Sequence, residues 1–172
     1  MRSRPTRQPA VRRLPWAATL LRGPSVIASP AWRAAITAAI LAGAVCTVGS
    51  GVIHLYLWGE SNGYRAIPNI GPLFLAQAIS AIAIGVLTAA ARRLAVVLAA
   101  VGLLAATAVG LVITIEVGLL GFRETWSAPY ASTSLYDEIA GAVLLLIAAG
   151  ALARPRATRP GPSPVSGQVA RT

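Results

Sequence analysis

The sequence predicts an all-α membrane protein, a four-transmembrane-helix antiparallel bundle with both termini inside. Three observations predict it. Four long runs of the 172 residues carry no Asp, Glu, Lys or Arg. Only 12% of the residues are charged and 56% are hydrophobic, where a soluble domain is about a quarter charged. The remaining charges are sorted by sign. Arg2, Arg4, Arg7, Arg12, Arg13, Arg22 and Arg33 precede the first run, Arg92 and Arg93 separate the second from the third, and Arg154, Arg156, Arg159 and Arg171 follow the fourth. All five carboxylates, Glu60, Glu116, Glu124, Asp137 and Glu138, fall in or beside the other two connections, joined there by only Arg65 and Arg123. Basic residues are retained on the cytoplasmic side during insertion, so the pattern threads the chain with both termini cytoplasmic.

Each element follows from its own residues. Residues 1–33 form an Arg/Pro-rich cytoplasmic extension, mobile by composition, with one short interfacial helix starting at Pro15. That helix puts Trp16, Leu20 and Leu21 among lipid headgroups. The apolar stretch from Leu14 to Leu21 is too short for a cleavable signal core, so the first span is expected to serve as an uncleaved anchor. That span covers 34–58, about 37 Å as a helix against a hydrocarbon core of about 30 Å, and should tilt or protrude. The second span is 73–91 and the third 94–115. The Arg92-Arg93 turn between them forces a hairpin. The fourth span is 135–153. Its uncharged part, 139–153, reaches only about 22 Å, so the helix is expected to continue outward through Asp137 and Glu138. Ser134 would cap it and leave both acids in the first turn at the membrane boundary. Residues 34–153 are thus the transmembrane domain, and 154–172 a basic cytoplasmic tail without fixed structure.

Small residues recur at every fourth position: Ala35, Ala39, Gly43, Thr47 and Gly51 in the first span, Ala81, Gly85 and Ala89 in the second, Gly102, Ala106, Gly110, Thr114 and Gly118 in the third. Such ridges let helix backbones approach closely in lipid, and close packing of the first and third spans is expected. Cys46 is the only cysteine. It excludes an internal disulfide and reads as a small apolar residue.

A net charge of +10 would ordinarily raise nucleic acid as a partner. Here the arginines flank apolar spans, which suits anionic headgroups and topology. The expected partner is the lipid bilayer, with a homo-oligomer or a membrane partner protein beside it and no nucleic acid. Lysine is absent, and the Ala/Gly/Pro/Arg bias resembles that of a GC-rich bacterial genome; the expected location is a bacterial plasma membrane.

Chemistry is expected at the outer face, where eight of the ten aromatic residues map. A headgroup belt accounts for most of them. The candidate cluster there is His54, Trp58, Glu60, Tyr64, Arg65, Glu116, Arg123, Asp137 and Glu138. His54 is the only histidine and lies about one turn inside the end of its span, a depth at which an ionisable group is a functional candidate. The plainer reading is a neutral imidazole hydrogen-bonded to a neighbouring helix. Glu116, Asp137 and Glu138 are its candidate partners. One Arg–carboxylate pair is also expected, with Arg65 favoured because Pro68 and Pro72 stiffen its loop. No spacing supports a metal site, and no catalytic motif or phosphate-binding glycine loop is present. The reading is therefore no cofactor, no metal, no catalytic residue, and a protein that inclines away from enzymatic activity.

The segment His54-Leu55-Tyr56-Leu57-Trp58, followed by Gly63-Tyr64-Arg65-Ala66-Ile67-Pro68-Asn69-Ile70-Gly71-Pro72-Leu73-Phe74, resembles a stretch of small uncharacterised actinobacterial four-span membrane proteins. Their pattern is similar to HLxLW followed by GYRxIPxIGxLF. The resemblance implies topology and a bacterial source, and no substrate. The resulting expectation is an integral membrane protein whose outer loop cap binds a lipid, a small molecule or a partner protein. The alternatives are a membrane redox or other enzyme subunit with a shallow outer pocket near His54, or a transporter subunit acting as an oligomer.

Overall fold

The computed structural model describes residues 15–60 and 63–154. The expectations for residues 1–14 and for the tail beyond 154 lie outside the described residues. Those described fold into five helices: α1 (Pro15–Leu20), α2 (Pro30–Gly59), α3 (Ile70–Ala91), α4 (Leu94–Glu116) and α5 (Ala131–Ala153). Single 3-10 turns occupy Pro24–Val26 and Tyr64–Ala66. Helices α2 to α5 are each long and apolar enough to cross a membrane.

Local signals set the helix ends. Ser29 caps α2, its hydroxyl accepting from the Trp32 amide at 3.5 Å, with Pro30 in the first turn where a missing N–H costs nothing. Arg92 ends α3 in the left-handed conformation (φ 49°), so two residues suffice to reverse the chain into α4. The fourth long helix begins earlier than its charge pattern suggests. Tyr130 (φ 63°) starts α5, and Ser134 lies inside it instead of capping it. Asp137 and Glu138 therefore sit in the second turn, with Glu138 about 10 Å beyond the first residue.

Two ends of the packed helices differ. At the end carrying Arg22, Arg92, Arg93 and Arg154, a solid core joins Ile36 and Ile40 of α2, Leu94, Val97 and Leu104 of α4, and Leu145 and Leu152 of α5. Arginines close this end on main-chain carbonyls. Arg22 donates to Ala153 O and Arg154 O, both at 3.1 Å, which satisfies the last carbonyls of α5 and places a cation at its negative pole. Arg93 donates to Leu21 O at 2.9 Å, and the Leu94 amide to Arg22 O at 2.8 Å.

Small residues bring α2 against α3 and α5, which revises the expected pairing of the first and third spans. A Cβ on Gly85 would stand 3.0 Å from the Val48 nitrogen and 3.1 Å from the Ala44 oxygen, so the α2 and α3 backbones touch there. Gly43 receives the Leu145 side chain of α5. On α4, Gly102 and Gly110 meet nothing within 4 Å. At these two positions its ridge does not mark a helix contact.

Candidate functional site

The opposite end is hollow. A cavity of about 280 Å³ lies beneath the loop segments 63–69 and 117–130, walled by all four long helices. Small residues of α4 make the room: Ala106, Thr107 and Gly110 form its wall where bulkier side chains would fill it.

The roof is built from the GYR…G..F segment. At Gly71 a Cβ would come within 2.7 Å of the Arg65 carbonyl oxygen, so only glycine lets the 3-10 turn settle on the first turn of α3. This seats the Tyr64 ring on Phe74, centroids 4.2 Å apart and 9° from parallel. Phe122 meets Tyr64 edge-on at 5.8 Å. It is presented by a tight turn in which Leu119 and Phe122 exchange main-chain bonds of 2.7 and 2.9 Å, with Leu120 (φ 52°) and Gly121 (φ 82°) at the bend. The single helical turn of these two loops lies at Tyr64–Ala66. The two loops are joined by the Tyr64 hydroxyl donating to Glu124 Oε2. Burial first, and the Glu124 carboxylate second, push the Tyr64 phenol above its ordinary value near 10.

The floor is polar. Glu138 is fully buried. Its Oε1 accepts from Ser50 of α2 at 2.9 Å and from Ser134, one turn back on α5, at 3.1 Å. Its Oε2 has no hydrogen-bond partner in the protein, and neither has Gln77 Nε2 of α3. Both residues line the cavity. His54 does too, with its ring 5.0 Å from Phe74. Its Nδ1 lies 2.8 Å from the Ser50 carbonyl of its own helix. A carbonyl only accepts, so Nδ1 carries the proton and Nε2 is left as an acceptor in the neutral ring.

Of the nine residues singled out in the sequence, the cavity gathers His54, Tyr64 and Glu138. The others stand apart. Trp58 is half-buried and off the wall, and Glu60, Arg65 and Glu116 are exposed. Arg123 donates to Ile115 O at 3.0 Å and Glu116 O at 2.9 Å, completing the last carbonyls of α4. Among the described residues neither Arg65 nor Arg123 pairs with a carboxylate; the expected ion pair gives way to helix capping. Asp137 points a helical step away from Glu138, toward Gly49 and Cys46 of α2. The imidazole bonds its own helix, and not a neighbour as the plainer reading had it. Glu124, Gln77, Thr107, Phe122 and Tyr130 belong to the wall and were not singled out. The signal for Gln77 was available: it is the only side-chain amide inside any of the four apolar runs. Among the described residues no three His, Cys, Asp or Glu side chains are grouped to hold a metal ion.

No family model matches the chain, and no curated protein or solved structure matches it either. The cavity must be interpreted from its own chemistry.

Proposed function

We propose that the chain is a multi-pass protein of a bacterial plasma membrane, an antiparallel bundle with both termini cytoplasmic, that binds a small amphipathic molecule beneath its outer loops. Contact pairs support the antiparallel sense: Gly51 packs near Ala78 and Ile82, while Gly85 packs near Ala44 and Val48. The arginine-closed end supports the orientation through the retention of basic residues inside. Exposed Val45, Val52, Ile79, Val86, Val109 and Ile147 are then solvated by lipid tails. The bacterial source rests on composition and on the resemblance of the 54–74 segment.

The observation that carries the binding reading is the cavity with Glu138 at its floor. Ligand sites are mostly apolar concavities with a few convergent polar groups, and this one has an apolar wall, four aromatic rings and a buried carboxyl with a free oxygen. An ionisable side chain inside a membrane helix marks a functional position by default.

Thr107→Cys in a Cys46→Ala background tests both topology and cavity. A membrane-impermeant maleimide applied to intact cells is expected to label the thiol introduced on the α4 wall slowly, and more slowly still after Gly110→Leu narrows that wall. Labelling only from the cytoplasmic side would overturn the orientation. A thiol that stays unreactive from both sides until the protein is unfolded would overturn the cavity.

A further inference from the structure

The chemistry of the cavity wall goes further and defines the charge of its occupant. We infer that the site receives an organic cation, a protonated amine carrying an apolar aryl or alkyl body; this rests on the binding reading above.

The charges around the cavity are one-sided. Among the described residues Glu124 and Glu138 line it, and no arginine does; the chain has no lysine at all. The two arginines nearest in sequence are committed elsewhere, Arg123 to the carbonyls ending α4 and Arg65 to the exposed loop surface. Glu138 is 0% exposed, and only two neutral hydroxyls hold its Oε1. Buried polar atoms are almost always partnered, and a buried carboxylate is strongly stabilised by a cation that also donates a hydrogen bond. An ammonium N–H at Oε2 does both.

The other free groups agree. In the neutral ring, with Nδ1–H on the Ser50 carbonyl, the Nε2 of His54 accepts. Tyr64 spends its proton on Glu124. The rings of Phe74, Tyr64, Phe122 and Tyr130 present faces or edges around the space, and ring faces attract cations. An anion would find the Gln77 amide and the Tyr130 hydroxyl as side-chain donors, against the two carboxyl groups of Glu124 and Glu138. The Gln77 Nε2 suits a neutral acceptor on the same ligand. Leu73, Leu111 and Leu119 take the apolar body.

The test uses the full chain in zwitterionic phosphatidylcholine nanodiscs with three probes of one shape: 4-phenylbutylammonium, 4-phenylbutanol and 4-phenylbutanoate. Calorimetry at neutral pH, corrected with empty nanodiscs, reads saturable binding. The cation is expected to bind at least about tenfold more tightly than either partner probe, and Glu138→Gln to remove about that factor for the cation alone. Thr107→Phe, which fills the cavity, is expected to abolish saturable binding of all three. Should Glu138→Gln fail to fold, the preference among the probes for the wild-type chain decides alone. If the alcohol or the carboxylate binds as well as the amine, the cation inference is overturned and the cavity reading stands. If no probe binds the wild-type chain more than it binds Thr107→Phe, both fall.

Discussion

The two ends of the bundle are made from the same four helices and solve opposite problems. At the arginine end, Ile40, Leu104, Leu145 and Leu152 interlock with no exposed surface, and guanidinium groups satisfy the carbonyls where the chain leaves the bundle. At the loop end the helices separate around a space, aromatic rings join the leucines, and a carboxyl is buried with one oxygen unpartnered. In lipid, helices associate through packing and polar contacts because the hydrophobic effect no longer distinguishes helix from solvent. Close packing at the arginine end and an open space at the loop end are thus carried by the same four helices.

Substitutions that trade on this contrast can break it. Leu145→Ala removes a fully buried side chain seated on Gly43 and is expected to cost about 2–5 kcal/mol. Thr107→Ala, on the cavity wall, should cost under about 1 kcal/mol, since its hydroxyl bonds only the Leu103 carbonyl of its own helix. Reversible unfolding in mixed micelles measures both; equal losses would mean the two ends are packed alike. Ser50→Ala is next. It takes one of the two hydroxyls from buried Glu138 and should cost about 1 kcal/mol by the same assay. A smaller effect is expected at the arginine end from Arg22→Ala, under about 1 kcal/mol, because that cap is solvent-exposed. A loss larger than that of Leu145→Ala would place more of the stability in the caps than in the core.

The smallest effect is confined to alkaline pH. The phenol of Tyr64 is raised in the folded protein by burial and by Glu124. Its contribution is therefore intact below an unfolded value near 10, and is lost only as pH climbs from there toward the higher folded value. A spectrophotometric titration of wild type against Tyr64→Phe should show one tyrosine ionising late. If all of them ionise together near pH 10, the contact between the loops is not buried.

Much of the fold was legible because hydropathy and charge sign act over whole segments. The runs that became α2, α3 and α4 need no side-chain detail, and Arg92-Arg93 leaves room only for a reversal. The start of α5 differs because Ser134 reads as a cap in the sequence, whereas in the fold it lies inside the helix and its hydroxyl joins that of Ser50, 88 residues from Glu138, in holding the buried carboxyl. The site was half legible. His54, Tyr64 and Glu138 stand out by residue type and depth. Thr107 and Gly110 do not, since small residues are everywhere on α4 and only the packing shows which ones leave space. The loop arginines misled because a guanidinium near carboxylates suggests an ion pair, while the nearest unsatisfied acceptors were helix-end carbonyls.

Helix α2 has 30 residues, against 22 or 23 in each of the others. Following its contacts with α3 back from Gly85, α2 outreaches that neighbour by about nine residues, roughly 14 Å, at its Trp32 end. The overhang carries an indole that is 65% exposed, followed directly by Arg33. Indoles and guanidinium groups settle at the plane of the phosphates, so this overhang acts as a depth gauge. A thicker bilayer would swallow it and a thinner one would strand it, which ties the resting height and lean of the whole molecule to the thickness of the membrane it inhabits.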